Sequence, residues 1–174
     1  MNTVSRFVSP KFAIFAIHGG NIEPGTKEIA EQIASDDLSL YFFEGESGED
    51  HISSDSYEEP KALELASKVE TIISIHGEKN TEESFVMVGG LEKELSQSIE
   101  DKLREAGFII KEAPDELDAD NPENICNRGQ KGEGVQIEIS RRLRKELGED
   151  KDLQTKFTEA IREVLIFSHS TGSR

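Results

Sequence analysis

Hydrophobic and polar positions along the chain predict strands and helices that follow one another in turn. Short runs rich in β-branched and aromatic residues predict strands over 11–17, 38–43, 72–76, 85–88, 108–110 and 135–140. Apolar residues that recur every three or four positions predict helices over 27–34, 60–68, 91–106, 141–147 and 153–167. Such interleaving is typical of an α/β fold, so we expect one domain over residues 1–174 with a mainly parallel or mixed sheet flanked by helices.

The segments between these elements are polar and irregular. Residues 1–10 are expected to form a short flexible lead-in, and residues 168–174 a flexible tail. Residues 44–59 are rich in glycine, serine and acidic residues, which predicts a long loop of the kind that is often functional. Residues 115–134 are acidic and predict a further irregular segment.

The composition limits the class of protein. The chain has 174 residues and no apolar run long enough to cross a bilayer, so we expect no membrane partner. Its first ten residues lack the basic and then apolar profile of a signal peptide, so we expect synthesis in the cytoplasm. The single cysteine, Cys126, excludes an internal disulfide and is interpreted as a small packing residue.

The charge balance is strongly acidic. Aspartate and glutamate number 36 against 20 lysines and arginines, which gives a net charge of −16. General nucleic-acid binding is therefore disfavoured, because its affinity comes chiefly from cations that neutralise phosphate. An acidic surface usually supports solubility. If the substrate were itself acidic, its site would need locally concentrated positive charge.

Two of the predicted strands end in the same three residues, Ile-His-Gly, which places His18 and His76 at strand ends. Functional groups of open α/β sheets gather at the carboxyl ends of the strands, so we expect the two imidazoles at one sheet edge. Glu23 follows His18 on a glycine-containing loop and can turn to the same point. Two histidines and one glutamate are a usual ligand set of zinc hydrolases, and the three residues are interpreted as ligands of one ion.

These residues also have interpretations without a metal. His18 could simply cap its strand, and Glu23 could be a solvated loop residue. His51, in the long loop, is an alternative ligand or substrate contact, or else an exposed side chain. The competing class is a non-catalytic binding module whose zinc is structural or absent, although structural zinc sites usually contain several cysteines.

Two further motifs contain groups suited to hydrolysis. Glu138 lies on the polar face of strand 135–140, where it could take a proton from metal-activated water or, alternatively, face solvent. Arg128 stands at a predicted loop tip beside Asn127 and suits bidentate capture of a carboxylate. The arginines within 141–144 are interpreted as a solvated helix face, with a substrate role as the alternative.

Taken in order, these motifs resemble the bacteriophage and prophage poly-γ-glutamate hydrolase family. The matching segments are His18–Thr26, Ile75–Gly77, Cys126–Gly129 and Gly134–Ser140. The resemblance extends over most of the chain, from Phe12 to about Leu147. It implies a zinc-dependent peptidase with a zinc-carboxypeptidase-like core and one zinc ion, which cleaves the γ-glutamyl amide bonds of a poly-γ-glutamate capsule.

The resemblance also implies roles for individual residues. The implied metal ligands are His18, Glu23 and His76. Glu138 is the implied general base, and Arg128 the implied catalytic cation, which with Asn127 would hold a substrate carboxylate. The protein is then expected to be a monomer that acts outside the cell after host lysis. The alternative among enzymes is a zinc amidohydrolase or deacylase of a small acidic N-acyl amino acid.

Overall fold

The computed structural model describes the backbone of residues 1–171 and the side chains of residues 1–167. The strands are β1 (Asn2–Arg6), β2 (Phe12–Gly20), β3 (Ser39–Gly45), β4 (Thr71–Glu78), β5 (Val86–Gly89) and β6 (Val135–Ser140). The helices are α1 (Thr26–Ala34), α2 (Pro60–Ala66), α3 (Lys93–Glu105), α4 (Arg141–Glu149) and α5 (Lys151–Thr171). Short 3-10 turns add Gly48–Asp50, Ser54–Ser56 and Ile125–Asn127.

The six strands form one mixed sheet in the order β1-β3-β2-β4-β6-β5. The central strands β3, β2, β4 and β6 run parallel to one another, and β1 and β5 are antiparallel strands at the two edges. The predicted α/β fold with a mixed sheet is therefore confirmed. Because β2, β4 and β6 are consecutive neighbours and parallel, their carboxyl ends meet at the same edge of the sheet.

Apolar layers cover both faces of the sheet, which explains why β2 is apolar at consecutive positions. On one face, Ile14 and Ile73 pack with apolar residues of α1, α3, α4 and α5. On the other face, Phe15 and Ile72 pack with α2 and with Cys126, a buried packing residue as expected. All four sheet residues are fully buried. The strand ends that follow them are therefore held by a close-packed core.

The N-terminal segment differs from the prediction. Residues 2–6 are not a flexible lead-in but strand β1, which pairs with β3 from Asn2 opposite Glu44 to Arg6 opposite Leu40. β1 is an edge strand of exposed and half-buried residues, so its sequence has no strong apolar signal. The strand predicted over 108–110 is also wrong, since it contributes only an isolated bridge between Ile110 and Val86.

The last helix is longer than predicted. The backbone of α5 is helical through Thr171, so the expected tail at 168–174 is helical over 168–171, and 172–174 lie outside the described residues. Its apolar stripe, which includes Phe157 and Ile161, belongs to the core on one face of the sheet and packs against α1, α3 and α4. Within the described residues no helix combines the length and the apolarity needed to cross a membrane.

Candidate metal centre and active site

His18 and His76 meet at the edge formed by the carboxyl ends of β2 and β4. Both side chains are buried, with only 2% of each residue exposed. Their ring centroids lie 5.0 Å apart, with the rings edge to face. The expected convergence of the two Ile-His-Gly strand ends is therefore present, and it follows from the parallel pairing of β2 with β4.

A tight turn after β2 brings Glu23 back to the two histidines. Gly20 has a φ of 69° and lies against the Gly45 backbone, where a side chain would collide. The Glu23 N–H then donates to the His18 carbonyl at 2.9 Å, which closes the turn. Thr26 begins α1, and its hydroxyl donates to the Glu23 carbonyl at 2.9 Å. The carboxylate is thus directed inward by backbone geometry that the glycine permits.

The Glu23 carboxylate lies between the two imidazoles. Its Oε1 is 2.9 Å from Nδ1 of His18, and its Oε2 is 3.7 Å from Nδ1 of His76. Oε2 also accepts the Gly77 N–H at 2.7 Å. The Glu23 carboxylate therefore lies within 4 Å of a nitrogen of each imidazole and joins the two strand ends.

The outer nitrogen of each ring has a partner of its own. His18 Nε2 lies 2.7 Å from the Ile52 carbonyl, which can only accept, so this nitrogen carries a proton. His76 Nε2 lies 2.9 Å from the Ser74 hydroxyl. With Nε2 of His18 protonated, Nδ1 is the free lone pair of the neutral ring, yet it faces a carboxylate oxygen. A cation at this point would be shared between that nitrogen and the carboxylate, and the donor set fits zinc.

The electrostatics of the site favour an ionised Glu23 carboxylate and a neutral His76 ring. Burial by itself raises the pKa of Glu23, but the hydrogen bonds and charges of His18 and His76 outweigh it and hold that pKa below its usual range. Burial lowers the pKa of His76, partly opposed by Glu23. An anionic carboxylate and a neutral imidazole are the protonation states that bind a metal.

His51 offers a second choice of third ligand. Its ring stacks on His18 with centroids 4.0 Å apart, and ligand atoms of His18, Glu23 and His51 lie within 4.8 Å of one another. Burial, and then the neighbouring His18, lower the pKa of His51. His51 belongs to an exposed loop, however, whereas His76 is buried on a central strand. The long loop thus brings a histidine to the site that sequence reasoning treated only as an alternative.

Glu138 lies beside the histidines on the next strand. It pairs in register with His76 across β4 and β6, and 5% of the residue is exposed. Burial raises its pKa to about 8, and the charges of Glu23 and Glu78 add to the effect. Gln136 donates to Oε1 at 3.2 Å. A buried carboxyl whose pKa is near neutrality is suited to proton transfer.

These residues open on a cavity of about 770 Å³. His18, Glu23, His51, His76 and Glu138 line its inner wall. The outer wall is formed largely by residues 111–121 and carries several acids, with Lys79 and Lys111 as basic groups. The volume is sufficient for a segment of an extended substrate.

Arg128 and Asn127 lie apart from this cavity. Arg128 donates to the Tyr57 carbonyl and to Glu58 Oε1, at 3.4 and 3.2 Å. The Asn127 amide is fully engaged in the fold, since Oδ1 accepts from the N–H groups of Leu91 and Gly134 while Nδ2 donates to two carbonyls. Neither residue lines the cavity, so the structure does not bring the expected carboxylate clamp to the candidate site.

Arg144 is a residue that sequence reasoning missed. The arginines within 141–144 were interpreted as a solvated helix face, yet only 6% of Arg144 is exposed. A signal was available, because Arg144 is three positions before Leu147, and residues three apart share a helix face. Leu147 and Leu143 form the buried stripe of α4, so Arg144 lies at the edge of that stripe.

A family model described as poly-gamma-glutamate hydrolase matches residues 2–167. The chain belongs to the poly-γ-glutamate hydrolase family. It is also similar to the SPbeta prophage-derived UPF0714 protein YoqZ of Bacillus subtilis (strain 168), with 37% identity over 152 residues. That match covers 84% of this chain but 55% of YoqZ, so the chain spans about half the length of this relative.

Two solved structures share the fold of this chain. The structure of a bacteriophage poly-γ-glutamate hydrolase superposes with a TM-score of 0.91 and 30% identity, over 98% of this chain and 90% of that one. A zinc-free form of YndL superposes with a TM-score of 0.88 and 31% identity, over 96% and 90% of the two chains. The fold class expected from the resemblance is thereby confirmed.

Proposed function

We propose that the protein is a zinc-dependent hydrolase that cleaves γ-glutamyl amide bonds of poly-γ-glutamate. The observation that carries the proposal is the Glu23 carboxylate between two imidazoles, with Glu138 on the adjoining strand, in a member of this family. The bacteriophage relative is named for this substrate, and the zinc-free form of YndL supports a zinc site in the family. We assign one zinc ion, with His18, Glu23 and His76 as its ligands.

The ligand set favours an open, catalytic site over a closed structural one. Three protein ligands leave one position of a tetrahedral zinc ion for water or substrate. When bound, zinc supplies Lewis-acid polarisation of the scissile carbonyl and lowers the pKa of water. The Ile52 carbonyl and the Ser74 hydroxyl would hold the outer nitrogens of His18 and His76, and so direct both Nδ1 atoms at the ion.

Glu138 would then move the proton. Its carboxylate would accept a proton from the attacking water and deliver it to the leaving amine. Gln136, which donates to Oε1, would leave the other oxygen for this transfer. A positive ion nearby favours the ionised form of a carboxyl, so metal binding would bring Glu138 into the basic state that the reaction requires.

Cations at the cavity would offset the charge of an acidic substrate. Lys79 and Lys111 line the cavity, and they are our first choice for contacts with substrate carboxylates. Lys111 would exchange its ion pair with Glu83 for a substrate carboxylate. Arg128 and Asn127, expected from the resemblance to hold a carboxylate, would contact only a chain that extends beyond the cavity, because both are engaged elsewhere.

Depolymerisation of poly-γ-glutamate tests the proposal. Polymer length is followed by size-exclusion chromatography before chelation, after chelation and after zinc is restored. We expect activity to disappear on chelation, return with zinc, and stay absent in Glu138→Gln. Activity that survives chelation would refute the metal role, and cleavage of a small N-acyl glutamate but not of the polymer would favour the deacylase alternative.

The choice of third ligand is tested by comparing His76→Ala with His51→Ala. Zinc affinity is measured by competition with a chromogenic chelator, and the fold of each variant is checked by circular dichroism. We expect His76→Ala to lose zinc affinity by roughly 100-fold or more, beyond the usual effect of an outer-shell change, and His51→Ala by less than about tenfold. The reverse order would assign His51 as the ligand.

A further inference from the structure

The Arg144 guanidinium binds three backbone carbonyls that belong to three different segments of the site. Nε donates to the Ile139 carbonyl at 3.1 Å, Nη1 to the Pro24 carbonyl at 2.6 Å, and Nη2 to the Glu78 carbonyl at 3.0 Å. Ile139 is on β6, Pro24 is in the turn before α1, and Glu78 ends β4. One planar group therefore joins three elements that are far apart in sequence.

Each of these carbonyls lies next to a residue of the candidate site. Pro24 follows Glu23, Ile139 follows Glu138, and Glu78 is two residues after His76. A displacement of any of the three carbonyls would therefore move the adjoining ligand or base. The guanidinium sets the spacing between the metal ligands and the base from behind the cavity, without being among the residues that line it.

The Arg144 guanidinium lies directly against Gly77. A Cβ added at Gly77 would lie 2.5 Å from the guanidinium carbon and 2.7 Å from Nη2. Gly77 is also the residue whose N–H donates to Glu23 Oε2 at 2.7 Å. The α-carbon of Gly77 thus lies against the guanidinium, while its N–H binds the Glu23 carboxylate. Both contacts are made by this one residue.

We propose that Arg144 is a positioning residue, which holds Glu23, His76 and Glu138 in the mutual geometry needed for metal binding and proton transfer. The proposal rests on the function proposed above. The positioning role depends on the geometry of the arginine side chain, whose five N–H donors lie in one plane, and not on its charge alone.

Arg144→Lys tests this geometry, because lysine keeps the charge but cannot donate to three carbonyls in one plane. We expect folded protein whose zinc affinity falls by about 10- to 100-fold, as for other outer-shell partners, and whose kcat falls more than its KM rises. Arg142→Lys is the matched control. Arg142 is on the same helix but its side chain is half exposed and pairs with Glu146, and we expect less than about a twofold change.

A readout that needs no zinc separates this inference from the proposed function. Hydrogen exchange of the Gly77 amide in metal-free protein reports whether this N–H still donates its hydrogen bond to Glu23. In Arg144→Lys we expect this amide to exchange at least about tenfold faster while the amides of Ile14 and Ile73, in the sheet centre, keep their protection. A Gly77 amide that stays protected in Arg144→Lys would overturn the inference, even if the protein hydrolyses poly-γ-glutamate.

Gly77→Ala provides an independent variant if Arg144→Lys proves unstable. The added methyl group displaces the guanidinium without removing it, so we expect the loss of zinc affinity to resemble that of Arg144→Lys. The double variant should lose little more than either single variant, since both changes break the same contact. Additive losses, or full zinc affinity in Gly77→Ala, would contradict the role given to Arg144. Absence of zinc binding and of hydrolysis in the unmutated protein would instead refute the proposed function.

Discussion

The half-buried Glu23 and the buried Glu138 line the same cavity, and their pKa values shift in opposite directions. The hydrogen bonds of His18 and His76 keep the pKa of Glu23 below its usual range against the effect of burial. Burial raises the pKa of Glu138 to about 8, and the charges of Glu23 and Glu78 add to this effect. Such a separation of pKa values between neighbouring carboxyls commonly divides the roles of anion and proton carrier.

The raised pKa of Glu138 predicts how the stability of the metal-free protein depends on pH. The pKa of Glu138 is raised from its ordinary value of 4.5 to about 8 in the folded state, so the folded state binds this proton more tightly than the unfolded state between these two pH values. The contribution to stability is present below this window and lost as pH rises through it. As pH rises through this window, we expect the free energy of unfolding of the unmutated protein to fall by a few kcal/mol relative to that of Glu138→Gln. The slope should be at most about 1.4 kcal/mol per pH unit, measured by urea unfolding with a chelator present.

Glu138→Gln is the control for the unmutated protein in this experiment, because it retains Glu23 and the histidines but removes one titrating group. Profiles for the two proteins should converge at low pH, where Glu138 is protonated in both folded and unfolded states. Parallel profiles between about pH 5 and about pH 8 would show that Glu138 has an ordinary pKa in the folded protein.

At the scale of elements, the start of α4 connects the end of β6 to the candidate site. The Ser140 hydroxyl accepts the Leu143 N–H at 3.2 Å, which caps α4, and the Phe85 N–H at 3.1 Å, which ties β5 to the same point. Ser140 is fully buried. The same helix carries Arg144, so the cap also fixes the direction from which the guanidinium enters.

Ser140→Ala should therefore destabilise the protein by more than an ordinary cap. Loss of a cap costs about 1 kcal/mol, and the buried Phe85 N–H left without an acceptor adds about 1–3 kcal/mol. Urea unfolding of metal-free protein measures the sum. Ser98→Ala, at an exposed position on α3, should change the free energy of unfolding by less than about 0.5 kcal/mol. Equal effects of the two substitutions would contradict the double role of Ser140.

At the scale of the whole molecule, the net charge of −16 opposes the approach of a polyanion. The cavity wall formed by residues 111–121 carries acids as well, so the local charge does not reverse the overall field. Repulsion between like charges is screened by salt, with a Debye length of about 30 Å at 0.01 M and about 8 Å at 0.15 M. Salt should therefore assist capture of the proposed substrate.

We expect kcat/KM for poly-γ-glutamate to rise several-fold as salt increases from about 0.01 M to about 0.15 M, opposite to an electrostatically attracted pair. An uncharged γ-glutamyl amide analogue is the control, and its kcat/KM should stay nearly constant. A decrease with salt for the polymer would mean that Lys79 and Lys111 dominate the field at the cavity.

Sequence patterns were most informative where short-range physics decides the outcome. Buried strands and amphipathic helices have periodicities that the chain displays directly, and the α/β order follows from them. The proximity of His18 and His76 was also predictable, because parallel neighbours end at one sheet edge. Glu138 was a candidate on the polar face of its own strand, and its position beside the histidines depends on the strand order, which places β6 next to β4.

The sequence by itself determined the fold class and the ends of β2, β4 and β6 as the place for chemistry, since periodicity and strand direction are local properties. Only the tertiary structure decided that residues 2–6 join the sheet, that Arg128 lies apart from the cavity, and that His51 stacks on His18. It also decided that Arg144 is buried between three segments of the site. These outcomes depend on which distant segments become neighbours, and an edge strand, a loop position or a buried arginine has no periodic signal that reveals its partners.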